Sequence, residues 1–365
     1  MNDEQISTTP SNLSASASGY EREEDARRIG SNVLGLIQLF GKYINLQTLD
    51  GITLAYNYGT ALAELDRGVE LGTKLEASQD WAIGVAMTAP VIRNEQVKSH
   101  IVVNAAIMEG LDEDPDHLHC QEAVHLLAHE CAHVEINAVF DRQFPDRVLR
   151  HKHETWYEHL RWEVISCSWD EYAACRISAS FGQDPSENYL SVFKNILSEV
   201  SENVRQAIMK YRQDSDLNSL VVEAQRNIGN LAKFASYVLG TADGFERSFE
   251  KDMPELSAAL DDHWFRPFFF RLRDALRELW ARYGEWQSLD EFGSIADIWL
   301  EMMTDRGLEI TPQNDGTMYV NVPFRPETDP LQTVLWGLQQ QLKGLNTSNS
   351  KVDTNETNSN DKEPE

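Results

Sequence analysis

A chain of 365 residues is long enough for one large domain or two ordinary ones, each with a sizeable core. A hydrophobic fraction of 41% beside 25% charged residues is that of a soluble globular protein, with no apolar run near the roughly 20 residues of a membrane helix. The formal net charge of −27 argues against nucleic-acid or anionic-membrane partners, because both need Lys/Arg-lined surfaces.

The first twenty residues are polar and Ser/Thr-rich, and lack the basic start and apolar middle of a secretory signal, so a cytoplasmic location is expected. Composition predicts disorder for residues 1–20 and again for the acidic tail 346–365, where few apolar side chains offset the ordering entropy. Residues 21–44 read as a helix with acids in the first turn and an apolar stripe through Ile29, Val33, Leu36, Ile37 and Phe40. A short strand from Ile52 to Tyr56 leads into a second helix, and two strands flank the polar turn Arg93–Glu95. An acidic loop over 109–120 precedes a histidine-bearing helix, and another long helix covers about 153–179, stopped near Gly182 and Pro185.

Beyond about residue 183 the pattern turns helical, with helices predicted at 188–212, 217–239, 256–286 and 289–306. A β-hairpin across Asn314–Gly316 interrupts the series, and one more helix over 329–345 closes it. The expected fold class is α+β: a mixed domain at 21–183, built of a small sheet and long helices, then a mainly helical region at 184–345 with a β-hairpin near 308–322. Cys120, Cys131, Cys167 and Cys175 show no C-x-x-C spacing and are too few for a disulfide framework, so they read as small buried thiols.

The stretch from Ala123 to Phe140 carries His125, His129 and His133 at four-residue spacing, and His129-Glu130-Cys131-Ala132-His133 fits H-E-x-x-H. Residues i and i+4 project from one face of a helix one turn apart, so two imidazoles there can reach a single Zn²⁺. Glu130, displaced around the helix, is placed to take a proton from water activated by the ion, as in metal-assisted peptide hydrolysis. Nine of the ten histidines lie between His100 and His159, which concentrates ligand chemistry in this part of the chain. His125 stands about 12 Å from His133, too far to share the ion, and is expected to support the site or line a cleft.

A catalytic zinc needs a third protein ligand. The extended motif H-E-x-x-H-x-x-G-x-x-H is excluded, because Ile136 and Val139 stand where it needs Gly and His. The next long helix offers Asp170 and Glu171. The stripe through Glu171 runs Val164, Cys167, Ser168, Ala174, Cys175, Ser178, mostly small residues that let two helices approach closely with a carboxylate at the contact. Glu171 is therefore preferred as ligand, with Asp170 beside it, and His159 and Glu163 as the next candidates. Arg176 is placed either to pair with one of these carboxylates or to face solvent.

With H-E-x-x-H on one helix and a glutamate on a second, the segment from Ile101 to Ser178 resembles the gluzincin branch of zinc metallopeptidases, and distantly the compact ImmA/IrrE-type peptidases. The resemblance implies a zincin-like domain with a strand before the active-site helix. It also implies Zn²⁺ held by His129, His133 and Glu171, and Glu130 as general base. The expected function is a zinc-dependent peptidase acting on a peptide or protein. The alternative is a non-catalytic zinc-binding regulatory or interaction protein on the same scaffold.

Overall fold

The computed structural model describes residues 6–78 and 84–325, together with 328, 329, 331, 334, 335, 337–339 and 342. In chain order the elements are β1 (Ala15–Ser18), α1 (Glu23–Phe40), β2 (Leu49–Ala55), α2 (Tyr58–Glu64), β3 (Ala86–Arg93), β4 (Gln96–Asn104), α3 (Ala105–Met108), α4 (Leu118–Gln143) and α5 (Trp156–Ser178). There follow α6 (Ser186–Asp214), α7 (Leu217–Gly244), α8 (Phe249–Asp252), α9 (Pro254–Leu260), α10 (Arg266–Ala281), α11 (Gly293–Asp305), β5 (Glu309–Pro312) and β6 (Met318–Asn321). The architecture is α+β, with a small mixed sheet in the first part and a helical second part. Among the described residues no helix is long and apolar enough to cross a membrane.

The sheet runs β1-β2-β4-β3, with β1, β2 and β4 parallel and β3 antiparallel to β4 across the tight turn at Asn94 and Glu95. Strand alternation puts Ile52, Leu54, Ile101 and Val103 on one face. That face is covered by the stripe Ile29, Val33, Ile37 and Phe40 of α1 and by Leu127, Cys131 and Val134 of α4. Val102 faces the other way and packs with Tyr58 and Leu62 of α2.

The expectation of an unstructured N-terminus does not hold for residues 6–20. Ala15–Ser18 pairs with Ile52–Ala55, the Thr8 N–H donates to Gly41 O (2.8 Å), and the Thr8 hydroxyl accepts from Leu46 N–H (2.9 Å). Backbone pairing needs no apolar side chains, so composition is blind to it. Residues 346–365 lie outside the described residues, as does much of the expected closing helix.

The change in composition after residue 183 does not mark a division between cores. One apolar cluster joins Ala132, Ile136 and Val139 of α4 and Val164, Trp169 and Tyr172 of α5 to α6, α7, α10 and α11. α4 thus has one face in each core, and α5 packs along α7. The helix expected over 256–286 is two: α9 ends at Leu260, Asp262 takes φ +57°, and Pro267 sits in the first turn of α10. Proline has no N–H to give and is tolerated there but not in a helix interior, so the chain restarts. The expected helix at 289–306 opens as a 3₁₀ turn, Leu289–Phe292, under a Ser288/Glu291 capping box. The hairpin forms as expected, β5 pairing antiparallel with β6.

Candidate metal centre

His129 and His133 sit mid-way along α4, whose 26 residues carry them one turn apart on one face. α5 crosses that face and brings Glu171 between them. His129 Nε2 and His133 Nε2 are 3.2 Å apart, and Glu171 Oε2 lies 3.3 Å from the first and 3.6 Å from the second. A zinc ion with bonds of 2.0–2.1 Å in tetrahedral geometry has ligand atoms about 3.3 Å from one another, so the three separations fit one face of such a tetrahedron. Glu171 Oε2 is buried and has no aligned hydrogen-bond donor, which is the condition of an oxygen that can accept a metal. Among the described residues these three form the one convergent group of His, Cys, Asp or Glu ligands.

The electrostatics are those of a compact, nearly buried cluster. Burial pushes the Glu171 carboxyl up, but Lys233 and the two imidazoles outweigh it and hold it well below the usual carboxylate range. Burial likewise opposes the charge on His133, yet Glu171 prevails and raises it to about 9. His129 Nδ1 lies 4.0 Å from Cys175 Sγ, and its ring stacks on Tyr237 (centroids 5.9 Å apart, planes at 14°). A proton on Nδ1 toward that sulfur leaves the Nε2 lone pair facing the other two ligands.

Glu130 is buried on the sheet side of α4. The Thr88 hydroxyl, from strand β3, stands 2.7 Å from Glu130 Oε2 and 2.8 Å from its carbonyl oxygen, fixing the carboxylate. His125 lies outside this group. Its Nδ1 lies 3.1 Å from Phe181 O and its Nε2 3.4 Å from Tyr189 OH, and burial, with His129 adding, lowers its pKa to about 4. Gly182 makes this seat possible: its φ is +68°, and a Cβ there would stand 2.3 Å from Gln121 O and 2.6 Å from His125 N.

Asp170 lines a cleft, and burial pushes its carboxyl up to about 7 against the pull of His133. Arg176 pairs with neither Asp170 nor Glu171. It reaches Asp243 (3.3 Å) and lies over the Trp280 ring (4.7 Å). His117 caps α4 by accepting from His119 N–H (3.3 Å).

Three neighbours escape sequence reasoning. Lys233 Nζ of α7 is 3.4 Å from Glu171 Oε1; Tyr237, one turn on, faces Glu171 and His129; Thr88 holds Glu130. Only Lys233 left a signal, being the single charged residue in the stretch 227–242.

A cleft of about 1010 Å³ lies on the same helices, with none of the triad or Glu130 among the residues that line it. It is walled by Phe140, Trp162, Ile165 and Phe292, and is reached from three elements that hold the site. Asn137 follows His133 by one turn of α4, Asp170 adjoins Glu171 on α5, and Pro90 follows Thr88 by two residues on β3. Compared with protein-family models, curated proteins and solved structures, the chain matches none of them.

Proposed function

We propose that the protein is a zinc-dependent peptidase of zincin-like character, with His129, His133 and Glu171 as the metal ligands and Glu130 as the general base. The observation that carries the reading is the spacing of the three ligand atoms at 3.2, 3.3 and 3.6 Å, with Glu171 Oε2 lacking any other partner. Three protein ligands leave a fourth position for water or substrate, the pattern of catalytic rather than structural zinc sites.

Zn²⁺, when bound, supplies a Lewis acid that lowers the pKa of water and polarises a carbonyl. The rest is done by the chain. Glu130 follows His129 directly on α4, so its carboxylate is turned aside from the ligand set, and it would take the proton from water that the metal activates. Thr88 keeps it from swinging away. The same glutamate can return the proton to the leaving amine. A peptide lies in the cleft past Asn137, Asp170 and Pro90, with apolar side chains against Phe140 and Trp162. A regulatory protein that only binds zinc has no use for a base oriented in this way, and that favours turnover.

The deciding experiment is metal analysis of the purified protein together with cleavage of an unbiased peptide library. The expected result is about one zinc per chain and hydrolysis that stops on chelation and returns with zinc. Folded protein that stays metal-free after growth in added zinc refutes the reading. A zinc-loaded protein without any cleavage leaves the regulatory alternative in its place.

A further inference from the structure

We infer that Lys233 is the counter-cation of Glu171 and competes with the metal ion for that carboxylate, so that the fold forms with or without metal. The inference rests on the zinc reading of the triad. The Glu171 side chain is 13% exposed, and a carboxylate so placed is strongly disfavoured unless a cation accompanies it. Its two oxygens face different ways. Oε2 is aimed at His129 and His133, whereas Oε1 lies 3.4 Å from Lys233 Nζ. An ion at the triad therefore stands on one side of the carboxylate and the ammonium on the other, and two cations share a single anion.

Lys233 is held in this place by its helix. Two turns further along α7, Gly240 presses against the backbone of Tyr172, the residue that follows Glu171 on α5. The Lys233 ammonium also lies over the Tyr237 ring at 5.9 Å. The α5–α7 contact thus fixes the backbone of Lys233 beside Glu171. Of the other charged groups nearby, His133 meets the same carboxylate through Oε2, Asp170 lines the cleft and Glu130 is bonded to Thr88. Metal and ammonium repel each other across a few ångströms in a partly desolvated site, and each weakens the other's hold on Glu171.

The test uses the full-length protein. Zinc affinity is measured by competition with a chromophoric chelator, and melting is followed with and without excess EDTA. Lys233→Met is expected to bind zinc about tenfold more tightly than wild type, because the metal then meets Glu171 without a competing ammonium on the carboxylate's other side. EDTA should lower its Tm by clearly more than that of wild type, while Lys233→Arg should match wild type in both. A Lys233→Met protein that binds zinc as well as or less well than a zinc-binding wild type overturns this inference alone. A wild type that binds no zinc overturns the zinc reading and this inference with it. If Lys233→Met folds only with zinc, that is the same effect at its limit. If it fails to fold even then, the Glu171→Gln/Lys233→Met pair, which removes both charges, should be stable in EDTA. A double variant as unstable as the single one refutes the pairing.

Discussion

Gly240 of α7 lies so close to Tyr172 of α5 that a Cβ at position 240 would stand 2.3 Å from the Tyr172 carbonyl oxygen. This contact sets how near α7 comes to the candidate metal centre, because Lys233 is two turns before Gly240 and Glu171 immediately precedes Tyr172. Gly240→Ala should therefore cost about 1–3 kcal/mol of stability, the usual range for overpacking a tight contact. Denaturant melts of the two proteins measure it. An unchanged midpoint would mean that the helices part freely, and that the Lys233–Glu171 distance is not fixed by this contact.

Glu171→Ala and Asp170→Ala separate the two adjacent carboxylates. Residues next to each other on a helix point about 100° apart, so one faces the histidines while the other faces the cleft. Glu171→Ala is expected to be purified largely without zinc. Asp170→Ala should lose at most the 10–100-fold typical of a residue behind the ligands. Zinc content by atomic emission, followed by chelator competition, decides between them; the reverse order would move the ligand to Asp170.

Glu130→Gln should keep the metal and lose hydrolysis, since glutamine is nearly isosteric but cannot take a proton. Thr88→Val removes the hydroxyl that stands 2.7 Å from Glu130 Oε2 and should lower kcat roughly 10-fold or more, leaving zinc content unchanged. Zinc content and peptide turnover on each variant check both statements. A Gln variant as fast as wild type would remove Glu130 from the mechanism.

His125 should make stability fall with acid. Its folded pKa is about 4, mainly through burial, against an ordinary 6.5. Between these values the unfolded chain binds a proton that the folded protein refuses, so the His125 contribution to stability declines as pH drops through the window and is flat above it. The gap corresponds to roughly 3 kcal/mol. His133, raised to about 9, is protonated in the folded protein throughout this window, while the unfolded chain takes up that proton around 6.5, so it adds a smaller slope of opposite sign at the window's upper edge. Denaturant melts in EDTA at pH 7 and pH 4.5 should show wild type losing more than His125→Gln. Equal losses would assign the acid sensitivity to another group.

Sequence by itself determined the parts of this protein that depend on local periodicity. Helix geometry places residues four apart on one face whatever surrounds them, so His129 and His133 were legible as a pair on one face and Glu130 as their displaced neighbour. The small side chains around Glu171 marked the face where a second helix could come close, and α5 does meet α4 there. The hairpin at Asn314–Gly316 and the strands flanking Arg93–Glu95 were legible for the same reason, since turn chemistry and alternation act over a few residues. What spans long separations was decided by tertiary structure alone. Lys233 meets Glu171 because one particular face of α7 packs on α5, and its lone charge in an uncharged stretch said nothing about which carboxylate it would find. Thr88 reaches Glu130 through the pairing of β3 with β4, and β1 forms because the backbone near Ile52 offers hydrogen-bonding groups that no side-chain composition reveals. Periodicity fixes a residue's neighbours within about one turn; the fold's long-range packing chooses the rest.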